Sequence, residues 1–277
     1  MTDEAPIEDQ VQWRVDDGVA WITINAPEQG NALSGGRRDR LTGLFRDASA
    51  SLGVRAVVLT ASGERHFCTG AALGSARPAE APRPEGAPDR AVGDAARMIR
   101  LGWQQLVASI LDCEKPVVGA INGTAAGGGA QLVLACDLVV MADTARLIEV
   151  FVRRGIMPDA GGAYLLPRLI GLHRAKELMF LGDDVSAEAA AQLGIANRVV
   201  PPSELQSTAT DLAARLARAP TRALAMTKWL LNRAFESDRQ TALDEEAFAQ
   251  ELVNNTEDAR EGMLSFFERR EAQFKGW

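Results

Sequence analysis

The segment "KPVVGAINGTAAGGGAQLVLACD", residues 115 to 137, carries no charge between Lys115 and Asp137. That length of uncharged chain is enough to raise a membrane-spanning helix. Its interior argues otherwise. Asn122, Gln131 and five glycines, three of them consecutive at Gly127, Gly128 and Gly129, interrupt it. A buried strand "PVVGAI", a tight glycine loop and a buried helix opened by the triplet account for the pattern better. A second strand, "DLVVMAD", follows. A strand, a glycine turn, a helix and a strand in succession predict crossover connections and an α/β sheet.

The flanking sequence agrees. "VQWRVDDGVAWITIN" alternates about Asp17 and Gly18, which predicts a hairpin with Val11, Trp13 and Val15 on one face. Leu41, Leu44, Phe45, Ala48 and Leu52 recur at helical spacing across residues 34 to 52. "RAVVLTAS" reads as a short buried strand, and Met98, Leu101, Leu106 and Ile110 mark a further helix. Residues 74 to 93, rich in Pro, Ala and Arg and without periodicity, read as a mobile loop and not a domain linker, because the pattern resumes at once. From about residue 172 the chain reads as almost wholly helical. Ser186 is expected to cap the helix of "SAEAAAQLGI" and Gly194 to end it. Residues 203 to 218, 220 to 235 and 238 to 270 read as three more helices. The expected division is a core over 1–202 and a helical C-terminal region over 203–277, which packs either on its own core or, as an oligomerisation region, on another subunit.

Function classes can be excluded early. The 277 residues carry a formal charge of −7 with no basic cluster, which disfavours nucleic acid as a partner. Cys68, Cys113 and Cys136 lack metal-ligand spacing and fit a reducing, cytoplasmic setting; two histidines are too few for a histidine-rich metal site. The start, "MTDEAPIEDQ", has neither the basic nor the apolar part of a signal peptide. "GTAAGGGA" is not a dinucleotide or phosphate-loop motif, and no Gly-x-Ser-x-Gly is present.

Three glycine-bearing turns remain: "HFCTGAAL", "INGTAAGGGAQL" and "GIMPDAGG". Glycine lets a backbone approach a ligand and bare its N–H groups, and two such groups aimed at one oxygen would stabilise an enolate or tetrahedral oxyanion. The same glycines could simply allow tight strand-to-helix packing. Asp159, in the third turn, is either the N-cap of the helix that follows or a group that moves protons.

Taken together the turns resemble the crotonase (enoyl-CoA hydratase/isomerase) superfamily. The resemblance runs from "APEQGNALS" at 26 to 34 through "HFCTGAAL", the glycine-triplet segment, "FVRRGIMPDAGGAYLLPRLIG" and "AKELMFLGDDVSAEAAAQLGIANRVVP" to "FFERREAQF". It implies a spiral of repeated ββα units with a helical C-terminal region. It further implies trimers that often pair into hexamers, and an acyl-CoA substrate whose thioester oxygen sits in an oxyanion hole. By position, Ala71 and Gly128 supply the two N–H donors, with Ala32, Gly70, Gly129, Gln131, Phe151 and Arg269 around the substrate. No metal or redox cofactor is implied, coenzyme A entering only as part of the substrate. Ala72 stands where the family usually has an aspartate.

Hydratases of the family use two glutamates to position and deprotonate water. Here those positions hold Gln131 and Phe151. Glu149 is two residues from the second, about 200° around if the segment is helical, and on that reading a poor substitute. Members that isomerise double bonds or remodel rings often carry an acid in a similar "PDAGG" context, and the ring-epoxide phenylacetyl-CoA isomerase branch is especially similar. The resemblance therefore points to an isomerase working through Asp159. A hydratase with atypical residues and a non-catalytic CoA-binding protein are the alternatives. Arg269 is expected either to reach a neighbouring subunit's CoA phosphates or to be a solvated charge.

Overall fold

The computed structural model describes residues 5–72, 84–88 and 92–277. The loop expected at 74 to 93 falls largely outside them. Among the described residues ten strands form two sheets. The first six are β1 (Val11–Asp16), β2 (Val19–Ile24), β3 (Ala56–Ala61), β4 (His66–Cys68), β5 (Val117–Ile121) and β6 (Thr124–Ala126). The others are β7 (Leu138–Ala142), β8 (Arg146–Ile148), β9 (Asp184–Ser186) and β10 (Arg198–Val200). The larger sheet runs β1-β2-β3-β5-β7-β10 and the smaller β4-β6-β8-β9. Only the end pairs β1/β2 and β8/β9 are antiparallel. The chain alternates between the sheets: β3 then β4, β5 then β6, β7 then β8. Each turn of this spiral brings a loop of the larger sheet beside the smaller one.

The β1/β2 hairpin turns at Asp17 and Gly18, both at positive φ, as the sequence predicts. Burial fades along its expected apolar face, from a buried Val11 to a 46 % exposed Val15 at the tip. Strands β3 and β5 are almost continuously buried, the mark of parallel strands covered on both sides.

The helices are α1 (Ile7–Gln10), α2 (Gly35–Ala50), α3 (Asp94–Leu101), α4 (Trp103–Leu111), α5 (Gly128–Ala135) and α6 (Gly162–Ile170). They continue with α7 (Leu172–Leu181), α8 (Ala187–Gln192), α9 (Pro202–Ala217), α10 (Thr221–Arg233), α11 (Arg239–Asn254) and α12 (Glu257–Glu268). Every residue of α5 is buried, so the uncharged segment is a strand, a short strand and a core helix. Among the described residues no helix is long and apolar enough to cross a membrane.

Ser34 caps α2 by accepting from the Arg37 N–H, and the stripe Leu41, Leu44, Phe45 and Ala48 is buried while Leu52 lies beyond the helix. Ser186 caps α8 through the Ala189 N–H, and Gly194 takes a positive φ after it. Two expected helices are each broken in two. The helix marked by Met98 and Ile110 divides at Gly102, whose φ of −105° and ψ of −98° are not helical, so Met98 and Leu101 are exposed while Trp103, Leu106 and Ile110 are buried. The stretch 238 to 270 divides at Asn255, and Thr256 caps the second part through the Ala259 N–H. Helix α9 packs on the larger sheet, placing Leu205, Ala209, Leu212 and Ala213 in the main core.

Candidate active site

The first glycine turn is fastened to the segment before α2. Leu33 N–H donates to the Gly70 carbonyl at 2.8 Å, Ala72 N–H donates to the Leu33 carbonyl at 3.1 Å, and Leu33 and Ala71 form a parallel bridge. Asn31 supports the arrangement from beneath. It is fully buried, and its side-chain amide donates to the carbonyls of Ser62 and His66.

The second turn lies directly against the first, since β4 pairs with β6. A methyl group built on Gly70 would lie 3.1 Å from the Ala126 carbonyl oxygen and 3.3 Å from the Gly128 nitrogen, and the φ of 94° there suits glycine. One built on Gly129 would lie 1.9 Å from the Cys68 carbonyl oxygen. The glycines therefore do allow close packing, and that packing is what places Gly128 beside the Gly70 turn. Gly128 is the first residue of α5, where a helix leaves its N–H groups without internal partners. Among the described residues neither the Ala71 N–H nor the Gly128 N–H has an acceptor. The dipole of α5 makes its N-terminal end favourable for a negative oxygen.

Trp103, the first residue of α4, covers this end. A methyl on Gly128 would come within 2.4 Å of the indole ring. The next residue, Gln104, donates from its side-chain amide to the Asp159 carbonyl at 3.3 Å, so α4 links the glycine triplet to the third turn. Asp159 is half-buried. Burial raises its carboxyl above the ordinary range, and an Asp159 backbone hydrogen bond and the charge of Arg38 only partly offset that rise.

Asp159 is not the N-cap of the helix that follows it. Helix α6 starts only at Gly162, and Gly161, at a φ of 91°, occupies the N-cap position with no side-chain cap bond. The left-handed turn at glycine replaces side-chain capping, and the carboxylate caps no helix.

The expectation for Glu149 needs correction. It is not on a helix with Phe151 but immediately before a short 3-10 helix, Val150–Arg154, at a φ of −80° and ψ of 66°. Its carboxylate faces Gln131, whose side-chain nitrogen donates to both oxygens at 3.0 and 2.9 Å. Glu149 is 1 % exposed, and burial pushes its carboxyl up to about 7 despite the Gln131 bond. Gln131 Oε1 is buried without a partner, pressed against Gly162.

Phe151 is buried near the glycine triplet, and Ala32 is buried with its carbonyl accepting from Arg37. Arg269 is exposed at the C-terminal end of α12, in a left-handed conformation with a φ of 55°. Residue spacing does not single out Trp103, Arg38 or Glu149. The only local signal is an aromatic residue following a glycine in a helical pattern at 102 and 103.

The sequence model of the family described as Enoyl-CoA hydratase/isomerase matches residues 14–277. The chain belongs to this family. It is 36 % identical to the 1,2-epoxyphenylacetyl-CoA isomerase of Escherichia coli (strain K12), over 95 % of this chain and 97 % of that one. It is 33 % identical to the short-chain-enoyl-CoA hydratase of Clostridium acetobutylicum, over 92 % and 93 % of the two chains. Among solved structures, the enoyl-CoA hydratase from Bacillus anthracis superposes with a TM-score of 0.85 at 33 % identity, covering 97 % of this chain and all of that one. The fold is thus the crotonase fold, and the chain is an enzyme of the hydratase/isomerase family. Its similarities include both kinds of activity.

Proposed function

We propose that the protein is an acyl-CoA isomerase. The thioester oxygen of the substrate accepts hydrogen bonds from the Ala71 and Gly128 N–H groups. That polarisation acidifies a carbon–hydrogen bond next to the thioester or conjugated with it. Asp159 removes this proton, and the electron pair moves into the thioester as an enolate. The enolate then collapses onto another carbon, which takes the proton back from Asp159, so the double bond moves and no atom is gained or lost. The thioester is the electron sink, and the chemistry therefore calls for no metal or redox cofactor. The observation that carries this reading is a half-buried carboxylate with a raised pKa that caps no helix and lies one residue contact from the tryptophan over Gly128. A raised pKa suits a group that must both accept and return a proton.

Asp159→Asn tests it. Turnover of 3-enoyl-CoAs or a ring-epoxide phenylacetyl-CoA should fall by roughly 10²–10⁴-fold with acyl-CoA affinity and melting temperature little changed. Isomerisation at the wild-type rate would reject it. Crotonyl-CoA hydration should be slow throughout.

A second reading, a hydratase with atypical residues, draws support from the buried Glu149 carboxylate beside Gln131. It requires hydration that survives Asp159→Asn and is lost in Glu149→Gln. A non-catalytic CoA-binding protein would bind acyl-CoAs and turn over none. In the favoured reading the working form is a cytoplasmic homotrimer or dimer of trimers assembled through the helices after residue 203, with Arg269 near a neighbour's CoA phosphates.

A further inference from the structure

Arg38 has an unusual setting. It follows the first turn of α2, and its guanidinium lies over the Trp103 ring, 5.6 Å from the centroid. The absence of a side chain at Gly102 leaves room for it, since a methyl there would be 2.7 Å from Arg38 Nη1. Its Nε is buried without a hydrogen-bond partner, and among the described residues the guanidinium makes no hydrogen bond or ion pair. Burial lowers its pKa from the ordinary value, while Asp39 and Asp159 act electrostatically to raise it. Arginine remains charged under such conditions. A cation therefore stands against one side of the indole whose edge rests on Gly128, within the electrostatic reach of Asp159.

A guanidinium left without an acceptor in a partly dry site is costly. Nε is sealed from solvent, but the two Nη groups are not, and water can serve those while the site is empty. A hydrocarbon chain that displaces this water would strand the donors, whereas an oxygen placed there would satisfy them. Sites with donors of this kind discriminate strongly against ligands that lack the matching acceptor.

We infer that Arg38 is a specificity-determining residue of the acyl site, and that the preferred substrate is an acyl-CoA whose acyl group bears an oxygen acceptor beyond the thioester. A hydroxyl, a ring-epoxide oxygen and a carboxylate share this chemistry. The inference rests on the acyl-CoA reading above, but it concerns binding and not proton transfer.

The test uses saturated thioesters, which the enzyme cannot isomerise. Calorimetric affinities of the full chain for butanoyl-, hexanoyl- and octanoyl-CoA are compared with those for the ω-hydroxy and ω-carboxy thioesters of the same lengths. At the best-fitting length an oxygenated ligand should bind roughly 10–100-fold tighter than its hydrocarbon counterpart, the range of a hydrogen bond to a charged group. A gain for both oxygenated series marks hydrogen bonding, and a gain for the carboxylate alone marks charge pairing; either supports the role. Arg38→Met should abolish the gain and bind the hydrocarbon thioesters at least as tightly. Asp159→Asn should retain it, even if turnover is lost.

Equal affinity for oxygenated and plain thioesters in the wild type overturns the inference without any variant. A preference that persists in Arg38→Met assigns it elsewhere and overturns it too. If Arg38→Met does not fold, Arg38→Gln, which keeps one donor group, should show a reduced gain, and an unchanged gain counts against Arg38. Failure to bind any CoA thioester would instead refute the underlying acyl-CoA reading.

Discussion

Replacing Glu149 by glutamine should stabilise the protein, and more so as the pH rises. The carboxyl is held at about 7 in the folded chain against an ordinary 4.5, with desolvation as the leading cause. At ~1.4 kcal/mol per pH unit, that gap corresponds to about 3 kcal/mol against the folded state once the group is ionised. Because Glu149 is 1 % exposed, solvent screening does little to reduce this. The folded pKa is the higher one, so between about 4.5 and about 7 the native chain binds more protons than the unfolded chain. Stability from this group therefore falls as the pH rises through that window, and the loss is complete above it. Glutamine has the same shape, no charge and an oxygen that accepts from Gln131. Urea unfolding followed by circular dichroism, at one protein concentration, should find Glu149→Gln ahead by about 3 kcal/mol at pH ~8.5 and by ~1 kcal/mol at pH ~5.5. Contributions from Asp159 and Asp137 occur in both proteins and cancel in the difference. A gap that stays constant with pH, or a variant less stable at the higher pH, would refute the assignment of a strained carboxylate to this position.

Gly129→Ala should unfold or severely destabilise the chain, because its methyl would meet the Cys68 carbonyl at 1.9 Å and neither backbone can yield; circular dichroism and soluble yield report it. The acidic limb of kcat/KM should fall above the ordinary aspartate value, since burial raises Asp159 and the base must be ionised; an inflection at or below that value would count against it. Leu243, Phe248, Leu252, Phe266 and Phe267 on α11 and α12 are all at least half exposed, more apolar surface than a monomer usually leaves bare. Sedimentation should therefore find a trimer-based assembly, and a stable monomer at low concentration would oppose it.

What the sequence made legible was what local chemistry decides. The Asp17 and Gly18 turn, the Ser34 and Ser186 caps and the glycine triplet at the head of α5 each follow from a residue's own backbone preference. Periodicity failed at Gly102: Met98 and Leu101 keep helical spacing, but the chain leaves the helix at a glycine crowded by the Arg38 guanidinium from α2, and they face outward. Glu149 was misjudged for a similar reason. A wheel drawn over residues 149 to 151 assumes a helix, whereas the residue's orientation is set by a buried amide eighteen positions earlier. Aspartate ahead of a helix suggested a cap, and only the positive φ of Gly161 shows that none is needed.

The contact between the Gly70 turn and the head of α5 has a consequence for how such an enzyme can change its chemistry. The groups proposed to hold the thioester oxygen belong to the main chain, so no substitution at Ala71 that preserves the turn deletes them. The groups proposed to choose the ligand and move the proton, at 38 and 159, are side chains on two other segments. Holding and reacting are thus encoded in separable parts of the gene. A library that randomises those two positions and Gln131, while leaving 70 and 127–129 untouched, would search new reactions on a fixed anchor, and lineages could trade one acyl-CoA reaction for another without passing through a form that fails to polarise its substrate.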